Sequence, residues 1–257
     1  MQTPEFWNLQ YLRGNKIVIL CAILFLTAGN LKAQLRESVN LPDHDSKPYY
    51  FGIVLGYNTS HYNISLNPQY LEQDTVRTVN SQNSGRIHLG IMANLQLSDH
   101  WDLRFYPLNL IFSQKNFIYT LKFPDPGETA LTKTQKVESI VMSFPLQVRL
   151  KSDRIGNFRV YTLGGVKYDY DLASNAASTN TGEMIKVKKG DFGVEAGIGF
   201  QFFFKYFILA PEIKVSNGIT NVLVRDPSVK FSNVIDKMYS RMILFSLHFE
   251  GGGGSGN

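Results

Sequence analysis

Between Arg86 and Leu97 the chain alternates without a break. Ile87, Leu89, Ile91, Ala93, Leu95 and Leu97 fall on one side, and Arg86, His88, Gly90, Met92, Asn94 and Gln96 on the other. Successive side chains of a strand point to opposite faces, so this stretch reads as a β-strand with one oily and one polar surface. Its length narrows the choice of fold. Strands of soluble domains run about 5 to 6 residues, whereas a tilted strand crossing a bilayer needs roughly 9 to 11. The expectation is a membrane-spanning strand, its oily face toward lipid and its polar face toward a lumen.

The same period recurs along the chain. Tyr50–Ser60, Trp101–Phe123, Val137–Lys151, Phe158–Leu172, Asp191–Phe203, Phe207–Ser216 and Ser240–Glu250 each place apolar residues on every second position. Small residues such as Gly52 and Gly56 fall on the polar side, where they leave room inside a narrow barrel. Pro107 interrupts its segment, because proline cannot donate to a ladder and marks an edge or a bulge. The polar stretches His61–Ser84, Phe123–Lys136, Ala173–Lys188 and Asn217–Lys237 read as long loops, and the connections near Ser98, Ser152 and Phe204 as short turns. Eight strands with long and short connections in alternation predict an all-β, eight-stranded antiparallel transmembrane β-barrel, long loops outside and short turns in the periplasm. Only helices and closed barrels satisfy every backbone group in lipid.

The ends of the chain carry other signals. Lys16 precedes an apolar run from Ile17 to Leu26, and Ala33 offers a small-residue cleavage site, so residues 1–33 read as a secretory signal peptide. Cys21, the one cysteine, lies within it, and the mature chain has no disulfide framework. Residues 34–48 read as a flexible periplasmic lead-in, with His44 between Asp43 and Asp45 in a solvated loop rather than on a metal, since no second histidine follows at ligand spacing. Residues 49–250 form the barrel. The closing GGGGSGN, residues 251–257, reads as an engineered linker.

Removing Arg13, Lys16, Lys32 and Glu5 with the leader leaves 23 basic against 20 acidic residues, which argues against nucleic acid as a partner. On the inward positions lie Arg86, Arg104, Arg149, Arg159, Lys167 and Lys214, with Asp169, Asp171, Asp191, Glu195 and Glu212. An eight-stranded barrel is about wide enough for its own side chains. Buried charge persists only when paired, so these residues are expected to form a lumen charge network. His88 and His248 also face inward, yet neither has a serine and a carboxylate in its immediate sequence; no catalytic residue, cofactor or metal site is assigned.

Four runs carry a resemblance: Ile140–Leu150, Tyr161–Tyr168, Asp191–Phe200 and Leu209–Ile213. In their order they resemble the outer-membrane β-barrel family of Bacteroidetes and, within it, the PorT family of the type IX secretion system. The resemblance spans about residues 50 to 250. It implies an outer-membrane protein needed for export of type IX cargo and, in gliding species, of motility adhesins. A filled barrel would not itself be the conduit, so the implied role is accessory, with outer-membrane lipid and translocon subunits as partners. His61–Ser84 and Asn217–Lys237 are the expected contact segments.

Overall fold

The computed structural model describes residues 38–67, 69, 76–123, 131–174, 185–225 and 234–251. The signal-peptide reading, the first lead-in residues 34–37 and residues 252–257 of the linker lie outside them. A 3-10 turn, Pro42–Ser46, is followed by β1 (Tyr49–Leu66), β2 (Val76–Gln82), β3 (Ser84–Gln96), β4 (Trp101–Leu121), β5 (Thr132–Lys151) and β6 (Phe158–Asp171). Then come β7 (Lys186–Val187), β8 (Gly190–Phe203), β9 (Phe207–Gly218), β10 (Leu223–Val224) and β11 (Ile235–Gly251).

β1, β3, β4, β5, β6, β8, β9 and β11 pair in that order, and β11 returns to β1, all antiparallel. Closure leaves the ring no open edge in the membrane. β2 and β3 both pair with β4, β2 through Val76↔Leu121 to Gln82↔Asn116 and β3 through His88↔Ile111 to Gln96↔Asp102. They are two pieces of one stave interrupted at Asn83, and the ring stays at eight.

Burial alternates as the sequence predicts. On β1, Tyr49, Phe51, Ile53, Leu55 and Tyr57 are exposed, while Tyr50, Val54 and Asn58 are buried. Eight steps of about 3.4 Å tilted by about 40° raise the chain roughly 21 Å from Tyr49 to Tyr57, close to the ~25 Å apolar band of outer-membrane barrels. Aromatic residues mark both margins: Tyr49, Trp101, Phe202 and Phe207 at the short-turn end, Tyr57, Tyr170 and Phe192 at the other. Glycines admit large inward groups. A Cβ on Gly56 would stand 2.3 Å from the His88 ring, and one on Gly199 2.3 Å from that of Tyr161.

Pro107 does mark a bulge. The register of β4 shifts between Phe105 and Leu110 against β5, and opposite Ile91/Ala93 on β3. Before it the even residues Asp102, Arg104 and Tyr106 are buried; after it the odd residues Asn109, Ile111, Ser113 and Lys115 are. The extra residue flips the strand's parity, and β4 continues as one strand to Leu121.

All four expected long loops are corrected, Phe123–Lys136 the least, since its end from Thr132 onward belongs to β5. His61–Ser84 holds the end of β1 and all of β2, Asn217–Lys237 holds the end of β9, β10 and the start of β11, and Ala173–Lys188 holds β7. Above Tyr57 the outward residues of β1 become Thr59, His61, Asn63 and Ser65. β1, β2, β4, β5 and β11 thus stand beyond the membrane as a wall, whereas β6, β8 and β9 stop near the margin. The polarity that read as loop is that of strands whose outer face meets water.

Candidate functional site

The lumen is filled in layers. At its base, Asp102, Glu212 and Glu250 meet Arg104, Arg149 and Lys151. Arg104 donates to Glu212 Oε2 at 2.7 Å, to Glu250 Oε1 at 3.1 Å and to Asn94 Oδ1 at 3.1 Å. Arg149 donates to Glu250 Oε1 at 3.1 Å, to Asp102 and to the Tyr50 hydroxyl, while its guanidinium lies 4.8 Å from the Tyr161 ring centre. Lys151 Nζ is 2.8 Å from Asp102 Oδ1, Gln201 donates to Glu250 Oε2 at 2.5 Å, and the Tyr161 hydroxyl donates to Glu212 Oε2 at 2.8 Å. The side chains of Arg104, Arg149, Asp102, Glu212 and Glu250 have no solvent exposure. Charge-assisted, multiply donated contacts of this kind offset the desolvation of ions.

Above this layer Lys214 Nζ lies 3.2 Å from Glu195 Oε2, and Gln147 also donates to Glu195. Higher still, Lys167 pairs with Asp169, Ser143 donates to Asp169 at 2.5 Å and Ser139 to Asp171 at 2.6 Å, and Ser240 donates to Asp191. Lys115 sits beside them, 4.3 Å from the Tyr62 ring centre. Lys115, Ser139, Asp169, Asp171, Asp191 and Ser240 line a cavity of about 30 Å³, the space of roughly one water.

Both ends are closed. Over the upper layer Tyr62, Val79, Phe117, Tyr119, Val187, Leu223 and Met238 pack in one apolar cluster, which joins the inner face of the wall to the β7–β10 ladder. Beneath the lower layer the lead-in folds back across the mouth. Arg159 donates twice to Asp45, at 2.8 and 2.7 Å; Gln96 donates to Asp45 O at 2.8 Å, Asn40 Nδ2 to Phe203 O at 3.0 Å, and Arg154 to Asn40 O and Leu41 O. His44 is buried with its ring centre 4.6 Å from Tyr50 and 5.9 Å from Phe203. Burial lowers His44 to about 4, with Glu250 and Asp45 opposing. For Asp45 burial acts against the charge, but the Arg159 bond and charge outweigh it and hold the carboxyl below its usual range. The described lead-in is therefore an ordered plug rather than a flexible stretch, and His44 does not sit in a solvated loop.

Of the sequence-assigned lumen residues, Arg104, Arg149, Arg159, Lys167, Lys214, Asp169, Asp171, Asp191, Glu195 and Glu212 are buried. Arg86 is not: its side chain is 46% exposed at the outer rim, donating to Gln114 and, at 3.4 Å, to Glu138. It has inward parity but stands too near the top to be covered. Sequence reasoning missed Asp102, Lys115, Lys151 and Glu250. Asp102, Lys151 and Glu250 lie one alternation beyond assigned residues, and Lys115 takes the parity that the Pro107 bulge reverses. With them, the buried charges among the described residues are seven cations and seven carboxylates. His88 Nε2 lies 3.1 Å from Ser246 Oγ, a pairing 158 residues apart that local sequence could not reveal, and its Nδ1 has no hydrogen-bond partner.

A family model described as outer membrane protein beta-barrel domain matches residues 33–224. No curated protein sequence matches significantly. Among solved structures, OprG from Pseudomonas aeruginosa is 14% identical, covering 80% of this chain and 94% of its own, with a TM-score of 0.40. Ail of Yersinia pestis is 8% identical, covering 79% and 99%, with a TM-score of 0.35. Neisserial surface protein A is 8% identical, covering 77% and 96%, with a TM-score of 0.39.

Proposed function

Because this chain belongs to the outer membrane protein beta-barrel domain family and sits in the outer membrane, we propose that it is a non-conducting barrel serving as an accessory part of the type IX secretion machinery. The observation that carries the non-conducting part of the reading is the lumen: filled by seven buried cations and seven buried carboxylates, plugged below by residues 40–48 and capped above by an apolar cluster; the secretion part rests on the resemblance of the four runs between Ile140 and Ile213. A path for folded cargo, or for solute, would need most of those pairs broken. Its useful surface is then its outside. The wall formed by β1, β2, β4, β5 and β11 offers polar strands beyond the membrane, on segments that include His61–Ser84 and Asn217–Lys237, and these are where translocon subunits would dock.

Two measurements test it. Purified protein in planar bilayers should give no unitary conductance steps, and a deletion strain should retain type IX cargo inside the cell, with export restored by the wild-type chain. Conductance steps overturn the sealed-lumen reading. Unimpaired export overturns the secretion role and leaves a generic small outer-membrane barrel with a stabilising or small-solute role.

A further inference from the structure

The lipid-facing surface is not evenly filled. An apolar groove of about 530 Å³ crosses β1, β11, β9 and β8, lined among others by Leu55, Tyr57, Phe200, Pro211, Ile213 and Leu247. That volume lies in the range of roughly 300–1,000 Å³ that ligand sites occupy. Pro211 helps to make it. Proline presents a short ring among long neighbours and has no N–H to give, and the β8–β9 pairing runs from Gly199↔Glu212 directly to Phe202↔Leu209.

Cationic character lies on the same strands, just outside the belt. From Tyr57↔Phe245 at the groove the register climbs through Thr59↔Ile243 to His61↔Arg241, and Arg241 also faces Asn217 of β9. His61, Arg241 and Asn217 have outward parity. Four residues of about 3.4 Å rise, tilted about 40°, place them roughly 10 Å above the groove's upper end. Arg241 is exposed, has no ion-pair partner among the described residues, and no carboxylate lies opposite it on either neighbouring strand.

We propose that the groove and the Arg241 site above it together bind one phosphorylated glycolipid of the outer leaflet. An acyl chain lies along Pro211 and Leu247, and a headgroup phosphate is held by Arg241, with His61 and Asn217 as further donors. The groove opens to lipid, so its occupant is a hydrocarbon. The guanidinium above it selects a phosphate, which its planar fork binds through paired hydrogen bonds. The long connections place that end outside, where the lipids of an outer membrane are phosphorylated glycolipids.

The test is native mass spectrometry of the full chain released from outer membranes in mild detergent, comparing wild type with Arg241→Ala, Ile213→Trp and the double variant. Heat-modifiable gel migration reports that each barrel is folded. One phosphorylated glycolipid should remain on the wild type, and retention should fall at least fivefold in each single variant and further again in the double variant, since two separated contacts to one molecule add in free energy. Equal retention in all four proteins, a retained glycerophospholipid in its place, a loss in only one of the two single variants, or a second copy of the chain occupying the groove would each overturn the proposal.

Discussion

Within the lipid belt the barrel is oily outside and ionic inside; in the wall beyond it, the strands are polar outside and oily inside. β1 passes through both regimes. Its outward residues run from Phe51, Ile53 and Leu55 to Thr59, Asn63 and Ser65, and its inward ones reach Tyr62 and Ile64 in and against the apolar cluster. The alternation never changes; only the assignment of its two faces does. Each face follows the medium it meets. Lipid tolerates no unpaired polar group on the outside and leaves the core free to hold paired charges, while water beyond the membrane restores the ordinary driving force for an apolar core.

The comparison breaks most severely at the ionic base. Arg149→Met leaves Asp102 and Glu250 each short of a buried partner, and removing one member of such a pair costs about 3–5 kcal/mol. Urea titration followed by gel migration should show a loss of that size. Replacing Phe117 by Ala in the apolar cluster should instead raise protease cleavage of the outer segments while the transmembrane barrel keeps its unfolding midpoint, because that cluster lies outside the membrane. If both variants unfold the whole barrel equally, the two regions are one cooperative unit.

Charge on the outer face sharpens the boundary between them. Ile53, midway between Tyr49 and Tyr57 and 57% exposed, should lose about 2–4 kcal/mol on replacement by Arg, the cost of a cation at the midplane of a barrel's lipid face. Asn63→Arg, on the same strand and face but above the margin, should change stability by about 0–1 kcal/mol. Similar losses at both sites would place the wall inside the bilayer.

The same contrast explains what the sequence made legible. Eight staves, the oily belt, the Pro107 bulge and ten inward charges follow from a period of two, because in the membrane each face has one medium. That signal fades where the medium changes. His61–Leu66 and Val76–Gln82 are strands, but their outward face is polar and their inward partners, such as Phe117 and Val187, lie far away in the chain, so no oily stripe marks them as strands. Lys115 was hidden by the parity flip, and Arg86 was given a burial that its height denies. The plug was least visible of all. Asp43, His44 and Asp45 look solvated until Arg159, 114 residues later, closes on Asp45.

That plug gives an effect local to the lower mouth, and one that pH can resolve. Docked His44 stays neutral to about 4 against an ordinary 6.5, so the released lead-in binds more protons between those values. Docking is at full strength above pH 6.5, weakens as pH falls toward 4, and loses no more from His44 below that, a total of about 3 kcal/mol at most. Asp45 shifts in the opposite chemical sense but toward the same outcome: its carboxyl is held below the ordinary 3.8, so its contribution is present above 3.8 and is lost only as pH drops further. The protection of residues 40–48 against hydrogen exchange, referred to the intrinsic rate at each pH, should therefore fall in two stages on acidification while the strands remain protected. His44→Phe, which keeps a ring between Tyr50 and Phe203, should abolish the stage between pH 6.5 and 4 and leave the more acidic one. A single stage, or one that survives the substitution, would mean that a group other than His44 governs the lower seal.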